Sequence, residues 1–388
     1  MTADEQFMQR ALQVARMGVG LVSPNPAVGA VVVDSSGNEA GAGTHTYDGI
    51  KHAEVLAIEQ AGSRARGGTL YLNLEPCSHQ GRTSPCADAV IAAGIQRVVC
   101  SMQDPNPQVA GRGFARLRAA GIRVEVGIFE VEARKLNEGF AKFIRHRVPL
   151  VTLKAAMTLD GKIAPPPATA IKSGARVPDE IAAGGSTGGW ITGEIARQHV
   201  QLLRHEHDAI MAGVGTVIAD DPLLTDRSGR SRRRPLLRVI LDSWLRLPET
   251  SRLVKSAQGD VLILYSQADD KRKNELEKLG LRVEKVASTR ADERPDLPDV
   301  MRHLAKHDIT SVLIEGGATV NSTALSSGVV DKLFLFYAPK ILGEGAVPFA
   351  ASAGPEHRHI ALAARRIRLH QFGEDFAVEG YLRDRYQD

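Results

Sequence analysis

The chain has 388 residues, of which 43% are apolar and 24% are charged, a composition typical of a globular protein with more than one domain. Its 49 basic and 45 acidic side chains leave a net charge of +4, and only 5% of its residues are aromatic. These values argue against a nucleic-acid-binding protein, which would carry a larger basic excess and more aromatic side chains for stacking on bases.

The N-terminal segment MTADEQFMQRALQVARMG has the pattern of an amphipathic helix, with Thr2 as a candidate cap. It lacks the apolar region of a signal peptide, and no stretch approaches the roughly 18 apolar residues of a membrane span. The cysteines Cys77, Cys86 and Cys100 are too few for a disulfide framework and favour metal binding or burial in a reducing compartment. We therefore expect a cytoplasmic protein that does not associate with membranes or nucleic acid.

Residues 1–147 alternate between predicted strands and helices, which indicates a layered α/β domain. The predicted strands are 28–33, 69–74, 97–102 and 122–127. The predicted helices are 52–62, 86–93, 112–120 and 130–145. Cys100 lies in the apolar strand RVVCSM, so we expect it in the core.

A second α/β series begins after residue 147, so we expect one domain at 1–147 and another at 148–388. The predicted strands of this second domain are 150–155, 208–212, 236–242, 260–265, 281–286, 311–315 and 330–338. Residues 164–189 are rich in Ala, Gly, Pro, Ser and Thr and predict a surface loop. The basic run RSGRSRRR at 227–234 predicts a solvated loop.

Four residues of the first domain have the pattern of a catalytic zinc site. His52 and Glu54 open a predicted helix, Cys77 follows a strand, and Cys86 starts the next helix. One imidazole and two thiolates suit Zn²⁺, and three protein ligands leave a fourth position for water. Zinc lowers the pKa of bound water to about 7, and Glu54 would move the proton without being a ligand.

The same elements, H-x-E and P-C, mark the zinc deaminases that act on nucleobases. Eight residues lie between Cys77 and Cys86, whereas two separate the cysteines of P-C-x-x-C, so the motif is a variant. Taken singly, the histidine and the cysteines would be structural residues. Their joint occurrence with Glu54 at strand–helix junctions favours the zinc site.

The second domain lacks the G-x-G-x-x-G fingerprint of dinucleotide binding. Instead, the predicted strand 311–315 is followed by Gly316-Gly317 and a helix. Glycines at such a junction let backbone N–H groups approach a phosphate. The turn is common, and a structural role is the simpler interpretation of it alone.

Several longer stretches carry a resemblance to a known family. They are SPNPAVGAVVV, HAEVLA, EPCSHQGRTSPCADAVIAAGI, MQDPNPQVAGRG, LKAAMTLDGKIA, WITGEIARQHVQLLR and IEGGATVNSTAL. Together they resemble the bifunctional deaminase/reductases of riboflavin biosynthesis, over nearly the whole chain. The resemblance implies an α/β protein with an N-terminal cytidine-deaminase-like three-layer domain and a C-terminal dihydrofolate-reductase-like domain.

The resemblance also implies an enzyme with Zn²⁺ and NADPH as cofactors, a small phosphoribosyl-pyrimidine substrate, and a homo-oligomer, either a dimer or a tetramer. The implied first reaction is hydrolytic deamination of 2,5-diamino-6-(5-phosphoribosylamino)pyrimidin-4(3H)-one. The second is NADPH reduction of the ribosyl group to ribityl, which gives 5-amino-6-(5-phosphoribitylamino)uracil.

Carried over by position, the resemblance assigns Asn25 to the pyrimidine, and His79 and Arg82 to the ribose phosphate. Without it, Asn25 would be a turn residue and Arg82 a solvated charge. The implied reductase substrate residues are Lys154, Arg204, Leu224, Arg227 and Glu315. The implied NADP residues are Met157, Trp190, Thr216, Asp220, Ser243, Gly317, Ala318, Thr319, Val320, Asn321, Ser322 and Thr323.

The chain departs from the family pattern before Trp190, where Gly188 stands in place of a serine. Ser186 or Thr187 would have to replace the contact of that serine. Two other functions remain open: a nucleic-acid base deaminase with an accessory domain, and a scaffold on a deaminase fold. The low net charge argues against the first, and the presence of Glu54 against the second, because a scaffold does not need a proton carrier.

Overall fold

The computed structural model describes residues 1–80, 84–166, 190–288, 293–350, 361–384 and 386. They form two compact units, one of Met1–Arg147 with Ser231–Arg234 and one of Val148–Arg230 with Pro235–Asp388. Across these ranges, no helix combines the length and the apolar character needed to cross a membrane.

The first unit is built on a five-stranded sheet of order β2-β1-β3-β4-β5. Its strands are β1 (Gly29–Val33), β2 (Glu39–Thr44), β3 (Thr69–Leu72), β4 (Arg97–Cys100) and β5 (Arg123–Val126). Its helices are α1 (Ala3–Arg16), α2 (Ala53–Ala61), α3 (Cys86–Ala92), α4 (Arg112–Ala119), α5 (Glu130–Leu136) and α6 (Glu138–His146). Strand β1 is antiparallel to both neighbours, whereas β3, β4 and β5 run parallel.

Helices cover both faces of this sheet, which gives three layers. On one face, Val31 and Val33 pack with apolar residues of α1. On the other, Ala30 and Val32 pack with residues of α2, α3 and α4. All five residues of β1 are buried, because alternate side chains enter different cores. Cys100 is fully buried in the second of these cores, which confirms the expected core position.

Strand β2 is absent from the sequence-based prediction because its sequence EAGAGT has a single β-branched residue, Thr44, and no aromatic residue. Its glycines serve helix packing instead. A Cβ at Gly41 would lie 2.3 Å from the carbonyl oxygen of Ala57, and one at Gly43 would lie 2.5 Å from that of Ala53. Helix α2 therefore sits directly on the backbone of β2.

The predicted helix at 130–145 is two helices, α5 and α6, separated at Asn137. The side chain of Asn137 is buried and bonds across the unit to the backbone of Ala27, with its Oδ1 2.8 Å from the amide nitrogen. Asn73 bonds the same segment, accepting from Gly29 at 2.9 Å and donating to Ala27 at 2.9 Å. These bonds hold the strand-entry segment that follows Asn25.

The second unit is built on a nine-stranded sheet of order β11-β10-β9-β8-β12-β6-β13-β16-β15. Its strands are β6 (Leu150–Thr158), β8 (Ala209–Gly213), β9 (Leu237–Leu241), β10 (Val261–Tyr265), β11 (Arg282–Lys285), β12 (Ser311–Ile314), β13 (Lys332–Ala338), β15 (Arg365–Phe372) and β16 (Asp375–Tyr381). A separate pair joins β7 (Lys162–Ala164) and β14 (Val347–Pro348). Its helices are α7 (Glu194–Glu206), α8 (Val214–Asp220), α9 (Arg252–Lys255), α10 (Asp270–Lys278), α11 (Leu297–Ala305) and α12 (Ala318–Ser326).

The strands from β11 to β13 run parallel, and β16 and β15 add an antiparallel edge. Strands β15 and β16 are missing from the prediction. The residues of β15 are mostly exposed, and in its sequence RRIRLHQF the alternation of apolar and polar side chains covers only residues 366–370.

The structure differs from the sequence-based prediction at two loops, 164–189 and 227–234. The loop expected at 164–189 begins after Ala164, which pairs with Val347 in a strand, and its residues 167–189, with Ser186, Thr187 and Gly188, lie outside the described residues. The basic run at 227–234 is not wholly solvated. Its last four residues belong to the first unit, where the Arg233 guanidinium lies 3.4 Å from the centroid of the Tyr47 ring. The aromatic face binds this cation in place of water.

Candidate active sites

The first candidate site joins His52, Cys77 and Cys86, whose ligand atoms all lie within 4.8 Å of one another. His52 is the N-cap of α2, Cys77 lies beyond β3, and Cys86 is the first residue of α3. The His52 Nδ1 lies 3.2 Å from the Cys86 Sγ and 3.7 Å from the Cys77 Sγ. A tetrahedral ion with Zn–S bonds of about 2.3 Å and Zn–N bonds of about 2.0 Å needs donors at such separations, so the residues fit zinc.

Local backbone bonds bring the two cysteines together despite the eight residues between them. The backbone N–H of Cys86 donates to the Cys77 Sγ at 3.3 Å, and that of Ala87 donates to the Cys77 carbonyl at 3.1 Å. Helix α3 therefore starts against Cys77. This geometry explains why the longer spacing still forms one site.

A buried carboxylate, Glu75, organises the other side of this site. Its oxygens accept backbone N–H bonds from Asp104 (3.1 Å), Gly111 (2.9 Å) and Gly113 (2.8 Å). A Cβ at Gly113 would lie 2.0 Å from the carbonyl oxygen of Pro76, so only glycine fits there. The segment that follows β4 is thus fixed next to Cys77.

The thiols and the imidazole share protons in a way that suits metal binding. The hydrogen bond with Cys86 lowers the pKa of Cys77 to about 4, and His52 adds to this effect. The same shared proton raises the pKa of Cys86, and the hydrogen bond with Cys77 raises the pKa of His52. A cation that displaces the shared proton would bind both sulfurs as thiolates.

Glu54 lies in the first turn of α2 and is only 3% exposed. Burial raises the pKa of Glu54 to about 7, so its carboxyl can both accept and release a proton near neutrality. It lies close to Cys86 and His52 but outside the three-ligand group.

Asn25 contacts His45, a residue beside the metal group that sequence reasoning missed. The Asn25 Nδ2 lies 3.0 Å from the His45 Nε2, and the His45 Nδ1 lies 3.1 Å from the Lys51 carbonyl. In the tautomer that satisfies both bonds, Nδ1–H donates to Lys51. The rings of His45 and His52 lie 5.2 Å apart. His79 is exposed on the loop after Cys77.

The predicted Arg82 lies outside the described residues. His45 was not predicted because a lone histidine in GTHTYDG carries no spacing signal. Only its position seven residues before His52, in the segment that enters α2, could have suggested it.

The second candidate site is a cavity of about 1610 Å³ in the second unit. It is larger than the roughly 300–1,000 Å³ of a typical ligand pocket and has room for a dinucleotide and a substrate. Most of the residues that the resemblance assigned to the reductase line it. They are Lys154, Trp190, Arg204, Thr216, Asp220, Leu224, Arg227, Ser243, Glu315, Gly317, Ala318, Thr319, Val320 and Thr323.

Three assigned residues do not line this cavity: Met157, Asn321 and Ser322. Met157 is buried within β6. Asn321 is fully buried and donates from Nδ2 to the Phe349 carbonyl at 2.8 Å. Because a helix turns by about 100° per residue, Asn321 and Ser322 face away from the side that Val320 and Thr323 present.

Glu315, at the end of β12, neutralises two cations on the cavity wall. Arg204 donates from Nε to Oε1 at 2.7 Å and from Nη2 to Oε2 at 3.0 Å, and Lys154 donates to Oε2 at 3.3 Å. Burial alone would raise the pKa of Glu315, but Lys154 and Arg204 outweigh it and lower the pKa to about 2. The three side chains therefore form a rigid charged group facing the cavity.

Two helix N-termini meet the cavity close together. Helices α8 and α12 follow the neighbouring parallel strands β8 and β12, and their caps, Gly213 and Gly317, offer no side-chain bond to the first turn. A Cβ at Gly213 or Gly316 would lie 2.8 Å or 2.7 Å from Val320, so these glycines let the two helices approach. The uncapped N–H groups fit the diphosphate of a dinucleotide.

The cavity also has cationic and aromatic walls, of which sequence reasoning assigned only Trp190 and the cations Lys154, Arg204 and Arg227. Arg197 lies 5.0 Å from the Trp190 ring, and Arg246 lies 5.5 Å from the Trp244 ring. These four residues, together with Arg252 and Arg294, line the cavity. The arginines are scattered along the sequence, so no local pattern groups them.

Comparisons with known proteins match both halves of the chain. Residues 1–102 match the model for the cytidine and deoxycytidylate deaminase zinc-binding region, and residues 179–378 match the RibD C-terminal domain. The chain is 38% identical to the riboflavin biosynthesis protein RibD of Aquifex aeolicus, over 97% of each chain. A solved structure of RibD from Acinetobacter baumannii matches with a TM-score of 0.79 and 35% identity, over 98% of each chain.

A solved structure from Thermotoga maritima matches with a TM-score of 0.77 and 35% identity, again over 98% of each chain. It is described as a diaminohydroxyphosphoribosylaminopyrimidine deaminase/5-amino-6-(5-phosphoribosylamino)uracil reductase. These findings confirm the cytidine-deaminase-like and dihydrofolate-reductase-like domains that the resemblance implied, and with them the zinc and NADPH cofactors. The chain therefore belongs to the RibD family of bifunctional riboflavin-biosynthesis enzymes, with a zinc-binding deaminase domain followed by a reductase domain.

Proposed function

We propose that the chain deaminates 2,5-diamino-6-(5-phosphoribosylamino)pyrimidin-4(3H)-one and then reduces the ribosyl group of the product to ribityl. One observation supports the deamination most directly. The ligand atoms of His52, Cys77 and Cys86 lie within 4.8 Å of one another, and the buried side chain of Glu54 lies beside them. The second step is supported by the cavity that holds both uncapped helix N-termini and the Glu315 group.

In the deaminase, His52, Cys77 and Cys86 would hold Zn²⁺, which when bound supplies a water of lowered pKa, about 7. The chain itself moves the proton. Glu54 accepts one proton of the water at its carboxylate and passes it to the exocyclic nitrogen, which leaves as ammonia. The other proton of the water goes to the neighbouring ring nitrogen, and the ring carbon gains a carbonyl oxygen. Asn25, held by His45, would orient the pyrimidine, and His79 and Arg82 would bind the ribose phosphate.

In the reductase, NADPH when bound supplies the hydride. The backbone N–H groups of 317–319 and the side chains of Thr216, Ser243 and Thr323 would hold the cofactor. Lys154 and Arg204, fixed by Glu315, would bind and polarise the substrate at the reacting sugar. Arg227, exposed at the cavity rim, would add a forked contact to the substrate phosphate.

The test is a pair of assays on one full-length protein. Ammonia release is measured with the diaminopyrimidine, and NADPH oxidation with the deaminated product, followed by mass analysis of both. We expect ammonia without NADPH, and a product heavier by two hydrogens only when NADPH is present. Absence of both activities in folded, zinc-loaded protein would overturn the proposal.

Glu54→Gln separates the two reactions. The amide keeps the size of the side chain but cannot accept the proton, and such acid–base help contributes about 10²–10⁴-fold. We expect ammonia release to fall by at least about 100-fold, while zinc content and NADPH oxidation are retained. Substantial ammonia release by this variant would remove Glu54 from the mechanism.

We further propose that the enzyme works in the cytoplasm as a homo-oligomer. Two cysteines that must stay reduced to hold zinc suit a reducing compartment. Light scattering of the purified chain measures the assembly directly. A monomeric mass at working concentration would contradict this part of the proposal.

A further inference from the structure

A second cluster of metal-type side chains lies in the reductase unit, outside the cavity. Glu284, His303 and His307 each offer a ligand atom, and these atoms lie within 4.8 Å of one another. The Glu284 Oε2 lies 2.6 Å from the His303 Nε2 and 3.6 Å from the His307 Nε2. One carboxylate oxygen therefore faces both imidazoles.

Local structure explains why these side chains meet. His303 lies in the last turn of α11, and His307 follows four residues later, in the turn that ends the helix. That spacing puts both rings on one side, with centroids 5.3 Å apart. Glu284 lies on β11, the edge strand of the sheet. The C-terminal end of a helix also favours a cation.

Two imidazoles and one carboxylate are ligands that zinc and the neighbouring divalent transition metals prefer. In a tetrahedral site with bonds of about 2.0–2.1 Å, adjacent donors lie roughly 3.3 Å apart. The observed separations of 2.6 Å and 3.6 Å lie on either side of this value, so side-chain rotation suffices. The side chains are 22–37% exposed, which lets water complete the coordination.

A neighbouring arginine leaves the ligand oxygen accessible. Arg282 donates from Nη2 to the other carboxylate oxygen, Oε1, at 2.9 Å. The oxygen that faces the two histidines is the other one, Oε2. The Arg282 side chain also places a positive charge near the site. This charge repels a bound metal ion, so removing it should change the affinity of the site for metal.

We propose that Glu284, His303 and His307 bind one divalent transition-metal ion, separate from the zinc of the deaminase. The helix that carries His303, α11, begins at Leu297, which lines the reductase cavity. An ion bound here ties the edge strand to the end of α11.

The test uses the full chain already loaded with one zinc, dialysed to equilibrium against Zn²⁺ alone. Wild-type protein is expected to bind a second equivalent, and the double variant His303→Asn/His307→Asn to bind one equivalent fewer. His146→Asn, an exposed histidine of the first unit, is the matched control and should keep both equivalents. NADPH oxidation by the double variant shows that it is folded.

Arg282→Gln tests the same site by a gain of affinity. Removing the nearby charge should tighten the second equivalent several-fold without affecting the first. The proposal is overturned if the wild type binds only one equivalent, or if the double variant keeps both. It is also overturned if Arg282→Gln weakens the second equivalent in a folded protein.

Discussion

Two buried glutamates show how the surroundings of a residue decide its chemistry. Burial raises the pKa of Glu54 to about 7. The Glu315 side chain is 9% exposed, and Lys154 and Arg204 lower its pKa to about 2. The first is suited to carrying a proton, whereas the second is a fixed negative charge that holds two cations in place.

Glu315→Gln should therefore damage both stability and substrate binding. It leaves Lys154 and Arg204 partly buried without their counter-charge, and breaking a buried pair in this way costs about 3–5 kcal/mol. We expect a lower free energy of unfolding and a higher KM for the reductase substrate. Denaturant unfolding and steady-state NADPH oxidation measure the two effects.

The same ion group predicts a pH dependence. Because the pKa of Glu315 is lowered from 4.5 to about 2 in the folded chain, its charge stabilises the fold at pH values above 4.5. That contribution is lost as the pH falls from about 4.5 towards about 2. The difference in unfolding free energy between wild type and Glu315→Gln should shrink over this range. A difference that stays constant would contradict the assigned ion group.

Arg246 is our candidate for the 2′-phosphate of NADPH. It lines the cavity beside Ser243 and is held over the ring of Trp244. A hydrogen bond to a charged group contributes about 1.5–3 kcal/mol, so Arg246→Gln should reduce the preference for NADPH over NADH about tenfold or more. The ratio of the two kcat/KM values measures this, and an unchanged ratio would place the phosphate elsewhere.

At the scale of elements, helix α2 is the part on which the deaminase site depends most, since it carries His52 at its cap and Glu54 in its first turn. Its position follows from Gly41 and Gly43 of β2, which let it lie against the strand backbone. A Cβ at Gly43 would come within 2.5 Å of a helix carbonyl, so the helix would have to move.

Gly43→Ala should accordingly shift α2 and impair the zinc site. We expect destabilisation of about 1–3 kcal/mol, as for overpacked cores, together with reduced zinc retention and ammonia release. Gly37→Ala is the matched comparison in the turn before β2, where a Cβ meets no atom within 4 Å, although its φ of +87° adds some strain. Equal zinc loss in both variants would show that close packing is not the cause.

The elements also show what sequence reasoning can and cannot reach. His52, Glu54, Cys77 and Cys86 were predictable because zinc chemistry demands those residue types at strand–helix junctions. Strand β2 was missed because its glycines serve helix packing, and the break between α5 and α6 was missed because Asn137 turns to a distant backbone. Contacts between residues far apart in sequence decide such features, and no local pattern reports them.

Contacts between residues far apart in sequence also explain why only some residues of the reductase cavity were predicted. The residues at the β12–α12 junction were predictable, because a predicted strand is followed there by two glycines and a helix. Met157 and Asn321, carried over by position, are instead buried away from the wall. The scattered arginines of the cavity belong together only once the nine strands of the sheet are ordered.

At the scale of the whole molecule, four residues from the second half of the sequence belong to the first unit. Within that unit, Arg233 lies over the Tyr47 ring and donates from Nη1 to the Ser23 carbonyl at 2.9 Å. Ser23 lies two residues before Asn25, and Tyr47 two residues after His45. Arg233 thus joins the two segments that carry the proposed pyrimidine-binding pair.

Arg233→Ala should loosen these segments. The cation–π contact contributes about 0.5–2 kcal/mol and the hydrogen bond about 1 kcal/mol, so we expect about 2 kcal/mol less stability in the first unit. The KM of the deaminase reaction should rise several-fold, because Asn25 and His45 lose their fixed separation, whereas NADPH oxidation with the deaminated substrate stays unchanged. Arg230→Ala, an exposed arginine of the same basic run, is the control and should alter neither reaction. If the two variants behave alike, the last residues of the run are as dispensable as a solvated loop, and the deaminase site depends on residues 1–147 alone.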